Sequence, residues 1–249
     1  MKSMTAFLAA VLALLVTGGA QAQPAGDSQP QAREILMRMA GYLAGAPAFS
    51  VSVRSGYDTV QKSGQKIEFG ETRRVTLSRP DKLRMEGERS DGTRTLTVFT
   101  GKEIVRFDSA RNVYATAPQP GGIDASIAYF INDLGMRLPL SPLLLSRLPA
   151  DFEKRVKSVD YVEKTSILGA PAHHLAARTD TVDFQVWVAD SDKPAPLRVV
   201  ITYRKVAGQP QFWAQFSDWN LAPAIGDATF APQVPAGAQQ VEFATRTKR

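Results

Sequence analysis

Only two histidines, His173 and His174, offer an imidazole that could shuttle protons near neutral pH or ligate a metal. They are adjacent in a stretch of strand composition, where neighbouring side chains point to opposite faces. The pair therefore does not chelate one metal ion. Either ring could still act as a general base, but no partner is evident for it. Asp183, Asp190 and Asp192 cluster near one hairpin, and a D-x-D pair could bind calcium. Asp190 and Asp192 precede Lys193-Pro194, however, and that context reads as turn chemistry. The chain has no cysteine, which excludes disulfides, thiolate nucleophiles and Cys-ligated metals. It has no G-x-S-x-G elbow, H-E-x-x-H, P-loop or G-x-G-x-x-G. The expectation is a protein without catalytic residues, metal or cofactor.

A second set of reactive groups is basic: Arg73, Arg74, Arg79, Lys82 and Arg84. Alternation places Arg74, Lys82 and Arg84 on a solvated strand face. Arg73 shares the parity of Ile67, Phe69, Val75 and Leu77, so it points to the apolar side unless the register breaks near Gly70. A charge there needs a partner. Glu71, on the same face, could neutralise it, or Arg73 could latch a carbonyl or carboxylate of a covering lid.

The elements that position these groups follow from periodicity. Ser28 and Gln31 form a capping box before Ile35, Leu36, Met39, Tyr42 and Leu43, which share one helical face. Gly45 and Pro47 end that helix. The period then drops to two: five or six strands run from Phe49 to Phe107, punctuated by Gly64, Asp91-Gly92 and Gly101. Asp124 is placed to cap a short helix bearing Ile127, Phe130, Ile131 and Leu134. Pro142 to Leu148 reads as another short helix, bounded by Pro139 and Pro149. Five more strands lie between Val156 and Trp219, and a tail rich in Pro, Gly and Ala carries Phe230. The fold class is α+β, mainly antiparallel β. One N-terminal helix and two short lid or plug helices accompany a sheet of about 10–11 strands, which must curl into an unclosed barrel.

The N-terminus reads as an export signal. Lys2 precedes the apolar run Ala6 to Val16, and Ala20-Gln21-Ala22 fits a small-x-small cleavage site. The run is too short to span a bilayer, which takes about 20 apolar residues. Residues 1–22 are expected to be removed after Ala22, leaving 23–249 as one soluble periplasmic domain. Net charge falls from +6 to +5 with the loss of Lys2. Nothing points to nucleic acid, and no other segment is long and apolar enough to cross a membrane.

The stretch from Leu77 to Met85 (LSRPDKLRM), with Asp91-Gly92, Phe99 to Glu103 and Tyr114, resembles the outer-membrane lipoprotein carrier superfamily (LolA/LolB-like). Gly169 to Leu175, Asp183 to Trp187, Pro196 to Tyr203, Asp218-Trp219 and Phe230 are similar to an uncharacterised periplasmic family within it. Together the two sets cover nearly the whole mature chain. The resemblance implies an unclosed barrel with a helical lid over an apolar cavity that holds acyl chains. On that basis Phe49, Phe69, Met85, Phe107, Ile127, Phe130, Ile131 and Leu134 are the expected cavity lining. Leu143, Leu144 and Leu145, apolar all round a short helix, suit a lid. The expected role is a non-enzymatic carrier of a lipid or lipoprotein acyl group. The alternative is an envelope scaffold that binds another protein through its sheet surface, with Trp213 and Trp219 as an aromatic patch.

Overall fold

The computed structural model describes residues 28–243. The signal segment 1–22 and its cleavage site lie outside the described residues. Helix α1 spans Ser28–Gly45 and ends where Gly45 and the Pro47 region forbid continuation. Six strands follow as a meander: β1 (Ala48–Val60), β2 (Lys66–Ser78), β3 (Lys82–Arg89), β4 (Arg94–Thr100), β5 (Glu103–Asp108) and β6 (Val113–Pro118). A helical passage comes next, with α2 (Ile123–Asn132), a 3-10 turn at Ser141–Leu144 and α3 (Leu148–Arg155). The second meander comprises β7 (Ser158–Ile167), β8 (Ala170–Arg178), β9 (Val182–Ala189), β10 (Pro196–Tyr203) and β11 (Gln211–Asn220). The short β12 (Gln239–Gln240) closes the order.

All twelve strands form one sheet in the order β12-β6-β5-β4-β3-β2-β1-β11-β10-β9-β8-β7. The two meanders join where β1 pairs antiparallel with β11, so β6 and β7 lie far apart across the sheet. The sheet is antiparallel except where β12 runs parallel to β6 and covers that edge. It does not close on itself, which makes the fold the expected α+β unclosed barrel. The count exceeds expectation by the two-residue β12, which the tail composition concealed.

One apolar cluster lines the inner face across both meanders, from Ala117 on β6 to Val159 on β7. Helix α1 covers the second meander with Ala32, Ile35, Leu36 and Met39, and α2 covers the first with Ile123, Ile127 and Phe130. The helix expected over Pro142 to Leu148 is only a 3-10 turn, followed by α3 with Pro149 in its first turn. Proline is tolerated there because the first helical N–H groups have no acceptor in the helix. Asp124 does not cap α2. Gly122 occupies the N-cap, and the Asp124 carboxylate accepts from the Ser146 backbone N–H and Oγ.

A second, smaller core lies on the outer face, where Phe230 from the tail packs on Leu96, Val98 and Phe107. Strands β4 and β5 are therefore apolar on both faces, and alternation there does not identify the inner one. The arginines of the Arg79-Pro80 to Arg84 stretch hold these flanking segments. Arg79 donates to the carbonyls of Ala46 and Leu43 at the end of α1, and the Pro80 carbonyl accepts from the Ile123 N–H of α2. Arg84 donates to the carbonyls of Thr229 and Ala231 and pairs with Glu86. Arg79 thus clamps one helix end, and Arg84, which alternation assigns to a solvated strand face, clamps the tail.

Burial pushes the Arg79 guanidinium pKa below its ordinary value, with Asp124 opposing. The charge is retained because it satisfies helix carbonyls that otherwise lack donors. Replacement of Arg79 by Ala is expected to lower stability by about 2 kcal/mol, read as a lower urea midpoint. An unchanged midpoint would contradict this clamp.

Candidate functional site

The inner face is the site that the sheet builds, because paired residues on neighbouring strands share a face. Across β1 to β6 one such row runs Phe49, Leu77, Leu83, Phe99, Ile104 and Ala117. The next is Val51, Val75, Met85, Thr97, Arg106 and Ala115, and the next begins Val53, Arg73, Gly87 and Thr95. The face therefore changes character along the strands. It is apolar under the helices and polar where Thr97, Arg106 and Arg73 begin. Farther on it becomes apolar again at Tyr57 and Phe69, whose rings stack at 5.8 Å.

Phe49, Met85, Ile127, Phe130 and Leu134 lie together in the inner core, with Ile131 partly buried against it. Phe130 meets Phe99 with ring centroids 5.7 Å apart. Leu144 and Leu145 are buried in this core, and Leu143 packs on it from a partly exposed position. Two residues stand apart from that group. Phe107 lies on the outer face against Phe230, because β5 turns Ile104 and Arg106 inward. Phe69 is on the inner face but beyond the covered region, where it, Tyr57 and Ile67 stay 40–41% exposed.

Register between β1 and β2 is continuous through Gly56 and Gly70, so Arg73 does point inward. Its guanidinium donates to Glu71 at 2.8 Å and so is partnered within its own strand. The Glu71 carboxylate occupies the space over Gly87, where an added Cβ would come within 2.7 Å of it.

Sequence reasoning missed Arg106. It donates one hydrogen bond, to Thr97 Oγ1 at 2.9 Å. Desolvation pushes its pKa down; Arg73 and Arg89 push the same way, against Asp108 and Glu71. Its inward parity with Ile104 was the available signal, hidden because Val105 and Phe107 make the opposite face equally apolar.

The histidines face opposite ways, as adjacency on a strand demands. His173 bridges the Tyr161 hydroxyl (Nδ1, 3.1 Å) and Asp190 (Nε2, 3.0 Å). Lys164 pairs with the same Asp190 carboxylate at 2.8 Å. His174 stacks on Trp187 on the outer face, ring centroids 4.0 Å apart, with Nε2 at 2.9 Å from Gln185 Oε1. Arg198 sits over both Trp187 and Trp213, extending this ladder across the second meander. Asp183 is held by Arg178 through two bonds, at 2.7 and 2.8 Å. Of these groups His174 alone keeps a buried atom without a hydrogen bond, its Nδ1, which lies 3.6 Å from the Glu163 carboxylate. Among the described residues, no three of His, Asp and Glu converge as a metal site.

The expected patch of Trp213 with Trp219 does not form. Asp218 adopts a positive φ of 55°, and the β1–β11 register shifts beside it. The extra residue turns Trp219 inward against Phe49 and Phe216. On the outer face, a groove of about 690 Å³ opens beside the tail. Arg54, Arg74 and Arg94 line it, together with the Arg84–Glu86 pair.

A family model described as "Predicted periplasmic protein (DUF2092)" matches residues 32–244, and the chain belongs to this family. A comparison with curated proteins finds no match. Among solved structures, the lipoprotein LppX of Mycobacterium tuberculosis is similar, with TM-score 0.51, 14% identity and coverage of 80% of this chain and 100% of that one. An uncharacterized conserved protein from Thermus thermophilus has TM-score 0.49, 15% identity and coverage of 85% and 99%. A LolA superfamily protein from Nitrosomonas europaea has TM-score 0.39, 12% identity and coverage of 81% and 97%. At these identities the likeness is one of fold. The family match bears out the expected resemblance to an uncharacterised periplasmic family, and the likeness to LppX is one of fold.

The Lys164 ammonium, and less strongly His173, hold the Asp190 carboxyl below the usual range. A depressed folded-state pKa contributes stability above the unfolded value, near pH 4, and loses it as pH falls through the folded value. The Asp190→Asn variant should therefore show a shallower fall in urea midpoint from about pH 5 to pH 3 than the parent. Identical acid limbs would show that this network contributes nothing.

Proposed function

We propose that this member of the DUF2092 family is a non-enzymatic periplasmic binder or carrier of a lipid or lipoprotein acyl group, which it takes up on the inner face of the unclosed barrel. The observation that supports this reading is the run of apolar surface past the end of its cover. Tyr57, Ile67 and Phe69 remain 40–41% exposed at the open end, next to the buried Phe212 that faces Tyr57 on β11. An acyl chain laid there gains about 0.8 kcal/mol per buried methylene. The cover itself is exchangeable in kind. α2 inserts Ile123, Ile127 and Phe130 as side chains and pairs with no strand. Replacing it with an acyl chain substitutes one apolar contact for another. In this reading, export removes residues 1–22 after Ala22, and 23–249 acts as one domain with Leu143 to Leu145 in the movable cover.

The outer groove favours a second reading, a scaffold that binds an envelope protein. Arg54, Arg74 and Arg94 have no ion-pair partner among the described residues, and an acidic segment would complement them.

Native mass spectrometry of the mature protein purified from periplasm, followed by denaturing extraction, tests the first reading. A co-purifying fatty acid, phospholipid or acylated peptide is the expected result. An apo mass with no uptake of a fluorescent fatty acid would overturn it and leave the outer-face reading.

A further inference from the structure

Arg106 is a partly buried inner-face charge to which the described residues supply a single hydrogen bond and no ion pair. A guanidinium carries five N–H donors. Here one bond goes to Thr97 Oγ1, and among the described residues no carboxylate lies within ion-pairing distance of it. The two nearest acids are already engaged. Glu71 is held by Arg73 at 2.8 Å, and Asp108 accepts from the Ala110 backbone N–H at 3.0 Å. The charges facing Arg106 are Arg73 and Arg89 against Asp108 and Glu71, so with Arg106 included the site carries one net positive charge. A partly buried cation in that position is unfavourable unless something completes its hydrogen bonds.

The surroundings indicate what would do so. Arg106 stands on the same inner row as Val51, Val75, Met85 and Thr97, at the border between the helix-covered apolar rows and the open end. Between it and Arg73 the sheet carries Gly87 and Thr95, and the Glu71 carboxylate fills the space over Gly87, so the face of Arg106 away from Glu71 is the one left to an added acceptor. A planar fork of donors beside an apolar surface matches a group with two acceptor oxygens attached to a hydrocarbon.

We infer that Arg106, with Arg73 beside it, is the headgroup subsite for an anionic amphiphile: a carboxylate or phosphate oxyanion seated on the guanidinium, with its acyl chain along the inner face. The inference rests on the inner-face acyl binding proposed above and adds the charge of the ligand. The oxyanion supplies acceptors that the protein lacks there. It also offsets the repulsion among three arginines.

The test compares a dansyl-labelled fatty acid with its methyl ester on the mature protein and on Arg106→Met, a change that keeps length and removes charge. The parent is expected to bind the acid at least ~10-fold more tightly than the ester. Arg106→Met is expected to bind the two equally, with a thermal midpoint no lower than the parent's, because it removes a partly buried charge that has no ion-pair partner among the described residues. Competition by lysophosphatidic acid and by oleate identifies the source, since the stronger competitor carries the preferred oxyanion. Equal affinity of the parent for acid and ester would overturn the headgroup subsite while leaving inner-face acyl binding intact. Binding of neither probe would overturn both. Should Arg106→Met fail to fold, the comparison of acid with ester on the parent still decides the inference. Retention of the acid preference in a folded Arg106→Met would also overturn it.

Discussion

The pairing of β1 with β11 is the constraint on which the rest of this structure depends. Each meander by itself is a local design of hairpins. Joining the first strand of one to the last strand of the other puts β6 and β7 at opposite reaches of the sheet. The chain between Pro118 and Ser158 must then cross from one reach to the other. An apolar inner face makes that crossing favourable on the inside, where Ile123, Ile127, Phe130 and Leu134 find Phe99 and its neighbours. The helices are inside the barrel because topology routes them there and burial keeps them.

A cover built this way is attached unlike a strand. A strand is fixed by a ladder of backbone hydrogen bonds with one register. α2 is fixed by side-chain burial, the tie from its first N–H to Pro80, and the Asp124 bonds to Ser146. Apolar burial is non-directional, so the same floor can accept another apolar partner of similar volume. The charged band at Arg73, Glu71 and Arg106 differs in kind. It is directional, and the pair formed by the first two leaves the third without an acid. On the proposed reading, strand geometry thus gives one face two sorts of selectivity, one for hydrocarbon and one for charge.

Much of the fold was legible because most strands keep one face apolar and one polar. In β1 and β2, Phe49, Val51, Val53, Val75 and Leu77 alternate with Ser, Thr and Arg, and the inward parity of Arg73 followed directly. Legibility failed where a strand is buried on both sides. The tail places Phe230 on Leu96, Val98 and Phe107, so β5 offers two apolar faces. Phe107 then read as inner lining, and Arg106 went unseen. A single left-handed residue, Asp218, separated Trp219 from Trp213 by turning it to the other face. Asp124 looked like a helix cap, yet its carboxylate bonds Ser146, a contact 22 residues away that no local pattern encodes. The inner core that gathers Phe49, Met85, Ile127, Phe130 and Leu134 was readable as apolar residues in register; whether a ligand shares it was not, since filled and receptive apolar faces have the same composition.

Because the chain has no cysteine, a single introduced thiol reports directly on whether the cover moves. Ile127, 2% exposed beneath α2, is the position to replace with Cys, and its maleimide reaction rate would be followed with and without saturating oleate. If an acyl chain displaces α2 from the inner face, the thiol reacts faster when oleate is bound. A rate that stays the same or falls, with oleate binding shown independently, would contradict the exchange of cover for ligand on which the account rests.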